Sequence, residues 1–178
     1  MSGKEGLIMT SLNGVELIDR SATQIPDLLY EQEVFEWLSS RNPNLVVLGP
    51  GLAEKVLDLT GELNGQKRPD GLLFSPNKFD TWGLTAFIEC KSGNRLRKGI
   101  KTKIKGFEEI SQRLRENPES LVNAIEDSNL CETLGISPPQ TIIIPNDNDI
   151  KLIFVGKKNG VTRKNPKYSP FQLTFLKY

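Results

Sequence analysis

Apolar residues recur at helical spacing in two parts of the chain and at alternate positions in others. Over residues 25–40, Leu28, Phe35 and Leu38 fall on one face with Val34 alongside, which predicts a helix. Ser21 or Thr23 can cap it, Pro26 suits its first turn, and Pro43 lies just beyond its end. One slot on that stripe is held by an acid, Glu31, while Glu33 points elsewhere. Residues 45–48 are a short apolar run closed by Gly49-Pro50-Gly51 and read as a buried strand. Residues 52–59 read as a two-turn helix leading to a polar loop over 61–67. Residues 68–95 then read as two strands with a loop around Pro76-Asn77-Lys78. Alternation puts Phe87, Glu89 and Lys91 on one face of the second strand and Ala86, Ile88 and Cys90 on the other.

Further along, Ile100, Ile104, Phe107, Ile110 and Leu114 predict a helix over 100–116, stopped by Asn117-Pro118. An acidic helix is expected over 119–130. Strands are expected over 141–144, 150–155 and 171–176, with a turn at Pro145-Asn146-Asp147-Asn148 and a polar loop over 156–167. Residues 1–20 carry no sustained pattern and read as a tail or a short hairpin around Asn13-Gly14. Residues 21–178 read as a single domain. Helix, strand, hairpin, helices and more strands make an α/β fold.

Composition narrows the chemistry more than the fold. The chain has 178 residues, 37% hydrophobic and 25% charged, which is ordinary for a globular domain with a proper core. Its net charge of +1 provides no global field, so any nucleic-acid signal must come from local clustering. It contains no histidine, which removes His-Cys zinc sites, Ser-His-Asp or Cys-His catalysis and His general bases. Cys90 and Cys131 lack metal-ligand spacing and read as reduced, buried thiols, as expected of a cytoplasmic protein. The apolar run at residues 6–9 is far too short for a signal peptide or a membrane span, and no membrane partner is expected.

What remains is carboxylates, lysine and a hard metal. Asp70 stands at the head of the first hairpin strand, and Glu89 and Lys91 close the second. A carboxylate and an ammonium at the end of an apolar strand are costly to bury without a partner or a task. Two acids from adjacent strands would suffice for Mg²⁺, which can generate hydroxide from water and stabilise charge on a phosphate. A lysine on the same face could orient the attacking water or take its proton. Just downstream, Arg95, Arg97, Lys98, Lys101, Lys103 and Lys105 fall within eleven residues with no acid among them, a surface suited to tracking nucleic-acid phosphates. Each feature has a plainer reading: Pro-Asp-Gly is a common turn, Glu-x-Lys a solvated strand pair, and a basic run a solvated helix face. The order in which they occur is what points to a site.

That order resembles the PD-(D/E)XK nuclease superfamily. Pro69-Asp70 matches the PD element, and Glu89-Cys90-Lys91 matches (D/E)XK with Cys90 as the variable residue. The helix Y-E-Q-E-V-F-E-W-L is similar to that of the small Holliday-junction resolvases. There a metal-site Glu is followed by apolar residues at +3, +4 and +7; from Glu31 these are Val34, Phe35 and Leu38. The similarity covers roughly residues 28–114, with a long segment at 49–68 and an enlarged loop after Phe74.

The resemblance implies a restriction-endonuclease-like core, a mixed central sheet flanked by helices. It implies an Mg²⁺-dependent endodeoxyribonuclease, with Mn²⁺ able to substitute, acting on DNA. Asp70 and Glu89 would be direct metal ligands, the backbone carbonyl of Cys90 a further one, Glu31 a ligand directly or through water, and Lys91 the catalytic base. A homodimer or larger nuclease-containing assembly is the simplest way to cut two strands with one site per chain. The alternative function is a non-catalytic nucleic-acid-binding or assembly module that keeps the nuclease fold. A third possibility is an α/β domain in which these positions are merely surface charges.

Overall fold

A mixed β-sheet forms the middle of the molecule, and its strands fall where the chain alternates or becomes wholly apolar. The computed structural model describes residues 7–8, 25–61, 63, 68–91, 100–156 and 169–177. The strands are β1 (Leu7–Ile8), β2 (Val46–Leu48), β3 (Gly71–Pro76), β4 (Thr81–Lys91), β5 (Thr141–Ile143), β6 (Lys151–Gly156) and β7 (Gln172–Lys177). The helices are α1 (Ile25–Arg41), α2 (Leu52–Leu59), α3 (Ile100–Glu116), α4 (Pro118–Asp127) and α5 (Leu130–Leu134).

The sheet runs β1-β2-β3-β4-β6-β7, with β5 beside β4 and off that path. β2, β3 and β4 are antiparallel neighbours, whereas β1 with β2, β4 with β6 and β6 with β7 are parallel. β5 and β6 share one edge of β4 in succession. β5 pairs with its first half, Thr81 opposite Thr141, and β6 with its second, Ala86 opposite Lys151. Between them Pro145 and the 3₁₀ turn Asp147–Asp149 interrupt what would otherwise be one strand.

Alternation along β3, β4 and β6 gives the sheet two apolar faces. On one, Leu73, Ala86, Ile88, Cys90, Ile153 and Val155 meet Tyr30, Val34, Phe35 and Leu38 of α1. On the other, Leu72, Phe74, Phe87, Leu152 and Phe154 meet α2, α3 and α4 through Val56, Ile104, Phe107, Ile110 and Leu121. Gly71 is fitted to the first face. A Cβ there would lie 2.1 Å from the ring of Phe35 and 2.8 Å from the carbonyl oxygen of Leu48. Only glycine lets α1 sit this close to the start of β3.

Three expectations change in detail. The acidic helix is two helices, because Asn129 adopts a left-handed conformation (φ 56°) between α4 and α5. Its first helix starts on Pro118, which suits position N1. The N-terminal segment supplies a strand, Leu7–Ile8, in register with Val46 and Val47; Asn13-Gly14 and the capping candidates Ser21 and Thr23 lie outside the described residues. Both cysteines are free and buried, as expected. No helix among the described residues is long and apolar enough to cross a membrane.

Candidate active site

The β3–β4 hairpin sets the site. Gly71 lies opposite Ile88 and Leu72 opposite Phe87, so Asp70, immediately before β3, falls beside the end of β4. Its Oδ2 accepts a hydrogen bond of 2.7 Å from the backbone N–H of Cys90. That N–H belongs to the peptide joining Glu89 to Cys90, so the Asp70 carboxylate rests against the backbone of Glu89. At the far end of the hairpin, Asn77 Oδ1 accepts from the N–H groups of Phe79 (2.9 Å) and Thr81 (3.2 Å), and Asp80 takes φ 50°. This Asx turn closes a four-residue loop, and a bulge that passes over Thr85, between the Phe74–Leu84 and Leu73–Ala86 pairs, then sets the register that brings Asp70 to the end of β4.

Glu89 is 0% exposed. It shares the α3-facing side of β4 with Phe87, and its Oε1 forms an ion pair with Lys103 Nζ from the opening turns of α3. Helix and strand geometry explain why Lys103 arrives there. Phe107 packs on Phe87 with ring centroids 5.4 Å apart. From that contact, two residues of strand advance about 6.6 Å to Glu89, and four residues of helix about 6 Å back to Lys103. The pair is one-sided in exposure, with the Lys103 side chain 19% exposed. A carboxylate so buried needs a cation beside it, since an isolated one would be strongly disfavoured. Glu89 itself is therefore not a solvated surface charge.

The remaining expected residues fall into three groups. Cys90 is buried with its side chain in the apolar cluster under α1, so any part it takes at the site belongs to its backbone. Glu31 is half-buried on α1, one turn before the Phe35 ring that covers Gly71. α1 covers the sheet face opposite to α3, and among the described residues no three His, Cys, Asp or Glu side chains group as ligands of one ion. Asp70 thus meets the Glu89–Cys90 backbone and Glu89 meets Lys103, with Glu31 on the helix that covers the opposite face. Lys91 is the last residue of β4, its backbone opposite Gly156; its side chain, and the whole of Arg95, Arg97 and Lys98, lie outside the described residues. Lys101 and Lys105 are exposed on α3, whereas Lys103 turns inward.

Lys103 as a partner of Glu89 was available in the pattern. Positions 103, 107, 110 and 114 follow helical spacing, which puts Lys103 in line with the buried stripe rather than with its exposed neighbours. A second polar cluster anchors the other end of α3. Asp147 Oδ1 accepts from Ser111 Oγ (2.6 Å) and from the guanidinium of Arg115 (2.7 Å), which also reaches the Pro145 carbonyl (2.9 Å). Burial, then Asp147 and Glu109, push the nearby Glu108 carboxyl up from its ordinary value, with Lys105 opposing. Nothing local in the sequence joins residues this far apart.

The oxygen donors at this end of the hairpin are hard ones: the Asp70 carboxylate on the Cys90 N–H, the buried Glu89 carboxylate, and the neighbouring backbone. Such a set fits a small divalent cation such as Mg²⁺, which needs few protein carboxylates. Comparison with family models, curated proteins and solved structures gave no match.

Proposed function

We propose that this protein is an Mg²⁺-dependent endonuclease that hydrolyses DNA phosphodiester bonds at the end of the β3–β4 hairpin, on a restriction-endonuclease-like core. The observation that carries the reading is Asp70 bound to the Glu89–Cys90 peptide, next in the chain to a wholly buried Glu89 that lies two residues before Lys91. With α2, α4, α5 and β5 counted as insertions, the order α1, β2, β3, β4, α3, β6 agrees with the helix, three strands, helix and strand of that core.

In this reading Asp70, Glu89 and the Cys90 carbonyl would hold the ion, and Glu31 would be a further ligand directly or through water. Mg²⁺, or Mn²⁺ in its place, supplies a polarised water and positive charge at the phosphate. Lys91 takes the proton of the attacking water, and its ammonium then faces the negative charge that grows on the phosphate oxygens. The Phe87–Phe107 contact and the Asp147 anchor hold α3 over the site, so the carboxylates keep one geometry. Arg95, Arg97, Lys98, Lys101 and Lys105 would follow the DNA backbone, and a homodimer would place two sites on two strands.

The test is incubation with plasmid, branched and single-stranded DNA in Mg²⁺ or Mn²⁺. The expected outcome is cleavage that falls at least about 100-fold in Asp70→Ala and in Lys91→Ala. No cleavage of any DNA, or cleavage unchanged in both variants, overturns it. A second reading, a DNA-binding or assembly module without cleavage, is favoured by one observation: Lys103 already supplies a positive charge to Glu89 within the chain. It expects salt-sensitive DNA binding and no Mg²⁺-linked stabilisation that depends on Asp70 and Glu89.

A further inference from the structure

We infer that Lys103 is a built-in cation that holds Glu89 until a divalent ion takes its place, and that the displaced ammonium then turns to the substrate phosphate. The inference rests on the metal-site reading above and adds to it how the site is regulated. Three observations carry it. First, the Glu89 carboxylate is wholly buried and the Lys103 ammonium sits on its Oε1, so a cation already occupies the ground that an incoming ion must share. An ammonium and a divalent ion on one carboxylate repel each other, and gain of one weakens hold of the other.

Second, the two ends of the pair differ in freedom. Glu89 stands on β4 opposite Phe154 of β6, one residue past the last β3 pair, and the next N–H, that of Cys90, is held by Asp70. Lys103 is 19% exposed and carries its charge on a flexible four-carbon stem. Its ammonium can leave Glu89 by side-chain rotation while α3 stays in place. The helix is pinned by Ile104, Phe107, Ile110 and Leu114 on the sheet and by Ser111 and Arg115 on Asp147.

Third, Lys103 reaches Glu89 from the inward side of α3, on the face opposite the exposed Lys101 and Lys105. An ammonium released from Glu89 therefore stays beside the ion that displaced it rather than joining their surface, and a phosphate drawn to that ion is the group that would receive it. Without metal the exchange keeps a buried carboxylate neutralised. With metal, ion binding and phosphate binding favour each other, and by linkage each tightens the other equally.

The experiment is Mn²⁺ titration, by calorimetry and by electron paramagnetic resonance, of wild type, Lys103→Met and Lys103→Arg, with thermal melts in Mg²⁺ alongside. Removing the competing charge in Lys103→Met is expected to tighten Mn²⁺ binding about tenfold. The same variant should also gain a larger Mg²⁺-induced rise in melting temperature than wild type. Lys103→Arg, which grips a carboxylate with a planar fork, is expected to bind Mn²⁺ more weakly than wild type. If Lys103→Met folds only when Mg²⁺ is added, that result supports exchange as well. If it folds in neither condition, Lys103→Arg decides, and unchanged affinity there overturns the inference. Equal or weaker Mn²⁺ binding by a folded Lys103→Met also overturns it. In either of those cases, DNA cleavage by wild type leaves the endonuclease reading standing. A wild type that neither binds Mn²⁺ nor cuts DNA removes both.

Discussion

Gly71 shows how much a single residue decides here. It joins the Asp70 end of the hairpin to α1 by leaving room for the Phe35 ring, and no other side chain fits that gap. Gly71→Ala is expected to lower stability by about 1–3 kcal/mol, the usual cost of overfilling a packed core. Gly71→Ala combined with Phe35→Leu should recover part of the loss. Urea unfolding of the three variants checks both points, and an unchanged midpoint in Gly71→Ala would contradict the packing described. Other residues were easier to read. Asp70 and Glu89 stood out because a charge at the end of an apolar strand needs a reason, and the structure meets it with the Cys90 N–H and with Lys103. Lys103 was hidden because five other cations surround it in the sequence and its own position on the buried stripe was overshadowed by theirs. The Phe35–Gly71 fit could not be read at all, because it depends on residues 36 positions apart meeting face to face.

α3 is the element that completes the site, and its two ends are held differently. Its opening turns reach Glu89 through Lys103, and its last turns reach Asp147 through Ser111 and Arg115. Asp147→Ala removes the acceptor shared by Ser111 and Arg115 and is expected to cost about 1.5–3 kcal/mol in urea unfolding, the range for bonds to charged groups. It should also slow any activity that depends on the seating of α3. A midpoint within error of wild type would show that this anchor contributes nothing. Glu108, on the same helix, titrates above its ordinary value of 4.5, first because it is desolvated and then because Asp147 and Glu109 are close. In the window above 4.5 the folded chain holds a proton that the unfolded chain has released. The stability linked to this group is therefore full below 4.5 and lost as pH rises through the raised value. Glu108→Gln should match wild type near pH 4 and be the more stable of the two at pH 7, read as urea midpoints. The opposite order at pH 7 would contradict the burial and repulsion assigned to this group.

Periodicity made these elements legible. α1, α2 and α3 follow their apolar spacing nearly residue for residue. The break between α4 and α5 was not legible, because the left-handed Asn129 carries no helix-ending glycine or proline to announce it. Nor was the split of one sheet edge into β5 and β6, since it depends on where Pro145 meets β4.

At the scale of the whole molecule, an α/β arrangement was readable from the order of elements, but the order of strands was not. Pairing of β4 with β6, and of β1 with β2, joins segments far apart in sequence, and two residues of strand at Leu7–Ile8 are too few to show alternation. The sheet matters to function because it sandwiches one charged hairpin end between two apolar faces, leaving α1 on one side and α3 on the other. That architecture makes the proposed chemistry local to Asp70, Glu89 and Lys91, with Glu31 outside the pair and Lys103 on it. The measurement that bears most directly on this account is the DNA cleavage rate in Mg²⁺ of wild type against Asp70→Asn, at equal folded fraction by circular dichroism. Asparagine keeps the shape of the side chain and its acceptor oxygen for the Cys90 N–H while removing the charge. A rate at least about 100-fold lower in Asp70→Asn, with cleavage by wild type abolished by EDTA, is the result expected. Equal rates in the two proteins, or cleavage by neither, would contradict it.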